Sequence, residues 1–113
     1  MENDSIKYMG KILKVKIDRP LGSLHPKYGF EYEVNYDFIP NTISGDREEL
    51  DAYILGVGKP LKIFIGKCIA VLHGLNDNDD KLIVVSENVN FSNAKIEKLT
   101  NFQEQWFKHV IIR

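Results

Sequence analysis

Four carboxylates crowd one short segment, Ser44-Gly45-Asp46-Arg47-Glu48-Glu49-Leu50-Asp51: Asp46, Glu48, Glu49 and Asp51. Like charges this close repel unless a cation sits among them. Mg2+ is a hard ion that prefers oxygen ligands and keeps several waters, so carboxylates converging on a cleft are what a phosphate-directed magnesium site requires; Mn2+ accepts the same donors. Asp51 is the sharpest anomaly, because Leu50-Asp51-Ala52-Tyr53-Ile54-Leu55 reads as a strand, where an unpaired charge is costly to bury. A second acidic turn, Asn76-Asp77-Asn78-Asp79-Asp80, can meet the first if both lie at one rim of a barrel. It is no EF-hand loop: counting from Asp77, the glycine position holds Leu82, and no helices flank it. Each turn also has a plain structural reading, as turn chemistry before a strand or as a solvated hairpin tip.

Phosphate chemistry needs cations as well, to neutralise charge developing on the transferred group. Arg19, before a proline at a strand end, and Lys81, directly after the second acidic turn, are the candidates, with Lys27 and Lys108 further options. The Tyr36 hydroxyl can donate to a phosphate, although its apolar face also suits core packing. A lone Arg or Lys is commonly a surface charge.

The elements that must position these groups follow from periodicity. Leu13, Val15 and Ile17 alternate with Lys14, Lys16 and Asp18, which predicts a strand ending at Asp18-Arg19-Pro20. Leu21 to Gly29 reads as a surface loop. Phe30, Tyr32, Val34, Tyr36 and Phe38 alternate with Glu31, Glu33, Asn35 and Asp37, predicting a strand ended by Ile39-Pro40-Asn41. Leu50 to Val57 is strand-like, Gly58-Lys59-Pro60 is a turn, and Leu61 to Leu75 is a long β-prone run expected to bend near Gly66. Lys81 to Val85 returns as its hairpin partner. After Ser92 as N-cap, Ile96, Leu99, Phe102, Trp106 and Val110 recur at helical spacing. Five strands and one C-terminal helix predict a mainly β fold, an OB-type five-stranded β-barrel over residues 1–113 as a single domain.

Composition narrows the partners. With 15 Lys+Arg against 16 Asp+Glu the chain lacks the broad basic footprint of a nucleic-acid or anionic-membrane binder, and a small anionic substrate suits it better. No apolar stretch is long enough to span a bilayer, and the polar, acidic N-terminus does not read as a signal peptide, so none is expected. The single cysteine, Cys68, lies in an apolar run and reads as a core residue in a reducing compartment, so a cytoplasmic location is expected.

Taken together, Asp18-Arg19-Pro20, Tyr32 to Ile39, Asp46 to Ala52 and Asp79-Asp80-Lys81-Leu82 resemble, in order and spacing, the motifs of the family I soluble inorganic pyrophosphatases, over roughly Ile17 to Val85. The resemblance implies an OB-type barrel, Mg2+-dependent hydrolysis of pyrophosphate to two phosphates, and a homo-oligomer. It implies that Asp46 and Asp51 hold the metal ions that activate the attacking water, and that Glu48 is the catalytic group that takes the proton from that water. Asp79 and Lys81 look like an Asp-x-Lys pair, the Asp on metal and the Lys on phosphate. Asp77, with Asn76 as the alternative, stands nearest the family's further metal-binding aspartate. Arg19 and Tyr36 resemble its phosphate-binding pair, and Phe107-Lys108 resembles a helical Tyr-Lys pair without the hydroxyl, leaving Lys108 for the phosphate.

The departures are specific. Glu48 stands where the family has Asp, and one extra methylene displaces a metal-organising oxygen by more than the roughly 0.5 Å tolerance of a good site. Arg47 replaces a small residue, while Glu33 and Asp37 replace Pro and Gly. The N-terminal part of the family's fold, which brings a glutamate and a lysine to the cleft, is expected to be missing. These departures motivate an alternative, a catalytically weak metal-dependent phosphate- or nucleotide-binding protein on the same barrel. A third reading, an oligonucleotide-binding barrel, is opposed by the acidic face of the aromatic strand.

Overall fold

The computed structural model describes residues 4–42, 48–76 and 79–113. Alternation sets the inward face of β1 (Ile12–Arg19), where Val15 and Ile17 are buried while Lys14, Lys16 and Asp18 are exposed. The sequence continues with β2 (Asn35–Phe38), β3 (Asp51–Ile54), β4 (Ile63–Gly74), β5 (Asp80–Val85), helix α1 (Asn93–Glu104) and β6 (His109–Ile112). The sheet order is β1-β2-β3-β5-β4-β6, and a further β1–β4 pairing closes the first five strands into a barrel. The β3–β5 pairing is parallel and the others are antiparallel.

Closure depends on β4, which bends to pair with β1 through Ile63 to Lys67, with β5 through Lys67 to His73, and with β6 through Val71 to Gly74. The expected bend near Gly66 is met by a register shift between Cys68 and Ala70. Gly66 itself sits where a Cβ would come within 2.4 Å of the Phe64 ring and of the Val85 carbonyl oxygen, so a side chain there pries β4 from β5.

Two cores lie on opposite faces of the sheet. The barrel interior holds Val15, Ile17, Leu50, Ala52, Ile54, Cys68, Val71, Leu82 and Val84. The outer wall holds Tyr32, Tyr36, Tyr53, Leu72, Ile83 and Val85, covered by Ile96 and Phe102 of the helix. Strand β5 is buried on both faces, as expected for a strand with a parallel neighbour. Cys68 is a free, buried thiol, and burial pushes its pKa up to about 11. Among the described residues no helix is long and apolar enough to cross a membrane.

Two elements differ from expectation. The regular part of the aromatic strand is only Asn35–Phe38. Upstream, the chain forms a small hairpin bridged at Leu24 and Glu31. Asn35 breaks the alternation: it is buried, its Oδ1 accepts from the amides of Leu21 (2.9 Å) and Leu61 (3.0 Å), and its Nδ2 donates to the Lys59 carbonyl (2.9 Å). The helix starts as predicted, with the Ser92 hydroxyl accepting from the Lys95 amide, but ends at Glu104. Trp106 and Val110 are therefore exposed rather than part of the apolar stripe. The β-branched run Val110-Ile111-Ile112 satisfies the edge of β4 instead, pairing with Val71, Leu72 and His73.

Candidate active site

Register places the first two chemical groups side by side. On the parallel β3–β5 ladder Asp51 is the partner of Lys81, and side chains two residues apart share a face, so both emerge on the helix side of the barrel beside Tyr53 and Ile83. Tyr36, on β2, faces the same way, and its hydroxyl donates to Asp51 Oδ2 at 2.7 Å. Burial, then the Asp51 carboxylate, holds the Tyr36 pKa well above its ordinary value, so the phenol stays a neutral donor. Asp79 reaches the same wall from the residue before β5. Tyr36, Asp51, Asp79 and Lys81 thereby line one cleft of about 890 Å3.

Lys81 is buried, with Nζ 2.8 Å from Glu104 Oε2 and 3.8 Å from Asp79 Oδ2. Burial by itself lowers its pKa, but Glu104, then Asp79 and Asp51, outweigh that and hold it above the ordinary lysine value. The cation is fixed as a charge at the base of the cleft, over the Phe107 ring at 5.0 Å. Glu104 is the residue that sequence reasoning missed. Its Oε2 also accepts from the Tyr53 hydroxyl at 2.5 Å; Tyr53 in turn accepts from Gln103 Nε2 at 2.7 Å, and Gln103 Oε1 accepts from Tyr32 at 2.9 Å. Arg19 Nη1 donates to Tyr32 at 3.0 Å, completing a hydrogen-bonded path between the two predicted phosphate cations. The signal was present: Ile96, Thr100 and Glu104 lie at i, i+4, i+8 on the inward stripe, and a charge on such a stripe demands a partner.

Arg19 is half-buried against Tyr32, with Nε 4.0 Å from Asp37 Oδ2, and is not in the cleft wall. Glu48 is exposed and likewise outside that wall. Lys108 is exposed, its carbonyl accepting from the Leu75 amide at 2.9 Å, while its neighbour Phe107 lines the cleft. Lys27 is exposed on the hairpin. Asp46 and Asp77 lie outside the described residues.

Among the described residues, no three His, Cys, Asp or Glu side chains come together as a metal cluster. The donors that do face the cleft, Asp51 and Asp79, are hard carboxylate oxygens, the chemistry a Mg2+ or Mn2+ ion takes. They fit as part of such a ligand set.

Asp37 adds a titration of its own. Burial, reinforced by Asp18 and Glu49 against the opposing effect of Arg19, raises its pKa from 3.8 to about 6. A carboxyl with a raised folded-state pKa contributes stability that is complete below its unfolded value and is lost as pH rises through about 6. Asp37→Asn is therefore expected to stabilise the fold by about 1–2 kcal/mol at pH 7.5, with the gain shrinking toward pH 4. Urea melts at the two pH values measure this, and equal midpoint shifts at both would contradict it.

Comparison with known proteins gives one consistent result. A family model described as inorganic pyrophosphatase matches residues 4–111. The inorganic pyrophosphatase of Ehrlichia chaffeensis superposes with a TM-score of 0.68 at 16% identity, covering 89% of this chain and 84% of that one. The Helicobacter pylori enzyme gives 0.64 at 20%, covering 94% and 79%. That of Thermus thermophilus gives 0.62 at 18%, covering 90% and 80%. These likenesses establish a shared fold, the OB-type barrel.

Proposed function

The chain belongs to the inorganic pyrophosphatase family, and we propose that its cleft hydrolyses pyrophosphate to two phosphates with Mg2+, Mn2+ serving as a substitute. The observation that carries this is the convergence of Tyr36, Asp51, Asp79 and Lys81 on one wall, with Lys81 locked in its charged form. Asp51 and Asp79, together with Asp46 and Asp77, are the residues that would hold the ions. Bound there, Mg2+ would lower the pKa of water and neutralise phosphate charge.

The chain's own groups do the rest. Lys81 offers a fixed positive charge to a phosphoryl oxygen, and Tyr36 a neutral hydroxyl donor. Arg19 and Lys108, which do not line the cleft, remain phosphate-binding candidates through the family resemblance. Water attacks one phosphorus, the bridging P–O bond breaks, the leaving phosphate keeps the bridging oxygen, and the water proton goes to a carboxylate of the site, the role that the family resemblance gives to Glu48. The exposed Ile12, Ile63 and Ile65, on the outward side of the β1–β4 pair, supply an apolar contact surface for a homo-oligomer.

Purified protein is expected to release phosphate from pyrophosphate with Mg2+, to stop on chelation, and to resume with added Mg2+ or Mn2+. No release with either ion near neutral pH ends this reading. The position of Glu48, exposed and outside the cleft wall, favours the second reading, metal-linked phosphate binding without turnover. Calorimetric binding of pyrophosphate that needs Mg2+ yet yields no phosphate would establish it.

A further inference from the structure

The cleft is far larger than a diphosphate needs. Its roughly 890 Å3 falls in the range of about 300–1,000 Å3 that drug-sized organic ligands fill. The walls beyond Asp51, Asp79 and Lys81 are aromatic: His25, Tyr28, Phe30, Trp106 and Phe107. Tyr28 is 68% exposed, Trp106 60% and Phe107 44%. Aromatic groups left open to water beside a charged pocket mark a surface that binds something.

The wall is built rather than loose. The His25 ring lies 4.9 Å from both Tyr28 and Phe30, and Phe30 lies 5.4 Å from Trp106. The hairpin beneath is tied by the His25 amide to the Phe30 carbonyl, the Tyr32 amide to the Ser23 carbonyl and the Gly22 amide to the Tyr32 carbonyl, each at 2.8 Å. His25 Nδ1 accepts from the amides of Lys27 and Tyr28, both at 3.1 Å, which fixes the ring against its turn and leaves the proton of the neutral imidazole on Nε2. Burial, then Arg19 and Lys27, keeps this imidazole below its ordinary pKa, hence neutral at neutral pH. A rigid aromatic wall continuous with a charged base of Lys81, Asp51 and Asp79 suits a ligand that is flat and apolar at one end and, at the other, a diphosphate carried with Mg2+.

We infer that the His25–Tyr28–Phe30–Trp106 wall is a base-stacking subsite, and that the cleft takes a nucleoside diphosphate with its diphosphate on the Lys81 side. The inference rests on the phosphate-site reading above and adds a substrate class to it. Stacking of a base on such rings accounts for about a tenfold gain in affinity.

The test compares α,β-methylene-ADP with the methyl ester of methylenediphosphonate, which carries the same charge and no base, each titrated calorimetrically into the full chain with Mg2+. The base-bearing compound is expected to bind about tenfold more tightly. It should also quench the fluorescence of Trp106, the chain's single tryptophan, which the methyl ester should leave unchanged. In Trp106→Ala and Tyr28→Ala, both altered at exposed positions and checked by circular-dichroism melts, the affinity ratio should fall toward one. Equal affinities in the parent overturn the base subsite while leaving the phosphate site standing. Binding of neither compound overturns the subsite, and takes the phosphate-site reading with it only if pyrophosphate is not hydrolysed either. A dimer in sedimentation velocity that Trp106→Ala dissociates would make the wall a subunit interface and overturn the proposal.

Discussion

Asp51→Asn is expected to cut phosphate release from pyrophosphate by about two to three orders of magnitude while the protein melts within a few degrees of the parent. Asp51 is fixed from two sides: the Tyr36 hydroxyl donates to its Oδ2, and the parallel ladder sets it beside Lys81. The amide keeps an acceptor for Tyr36 and nearly the same shape, so the fold loses little. What disappears is a negative oxygen facing the cleft. An ion held by carboxylates weakens when one becomes neutral, and Lys81 loses one of the charges that raise its pKa. Steady-state phosphate release, run beside a circular-dichroism melt, separates the two effects. Retention of more than a tenth of the parent rate would remove Asp51 from the chemistry.

How much of this was legible in the sequence depends on whether the determining contacts are local. Val15 and Ile17 declared the inner face of β1 because period-two alternation needs no partner to be read. The hairpin of β4 and β5 was visible from its turn residues. The parallel pairing of β3 with β5, which sets Asp51 beside Lys81, was not, since register between distant strands has no local signature. Asn35 read as one of several polar residues on an outer face, whereas its side chain ties two loops to β2 through three hydrogen bonds. The helical spacing of Trp106 and Val110 was real, but edge pairing with β4 outweighed it. Asp51, Asp79, Lys81 and Tyr36 were all chosen from the sequence and all line the cleft. The pairing of Glu104 has no local signature, because its partner Lys81 lies 23 positions away on β5.

Glu104 carries the second large effect. In the parent, the Lys81 ammonium is buried against Glu104 Oε2 at 2.8 Å, and the Tyr53 hydroxyl donates to the same oxygen. Glu104→Gln keeps an acceptor but removes the charge, leaving Lys81, among the described residues, with Asp79 at 3.8 Å as an ion-pair partner. Breaking a buried pair from one side costs about 3 kcal/mol, which for a chain of this size lowers the melting temperature by roughly 10 °C. The sign with pH follows from linkage. In the parent, the raised Lys81 pKa contributes stability that persists through neutral pH and is lost only on the alkaline side of the ordinary lysine value. In the variant, burial dominates and that pKa falls, so the deficit should shrink as pH is raised from 7 toward 10. Removing the orphaned charge with Lys81→Met in the Glu104→Gln background should recover much of the lost stability without recovering phosphate release, because the cation that faces the cleft is gone. A Glu104→Gln protein that melts with the parent at pH 7 would mean that Lys81 is neutralised elsewhere. Recovery of stability together with activity in the double variant would mean that the reaction does not use this lysine.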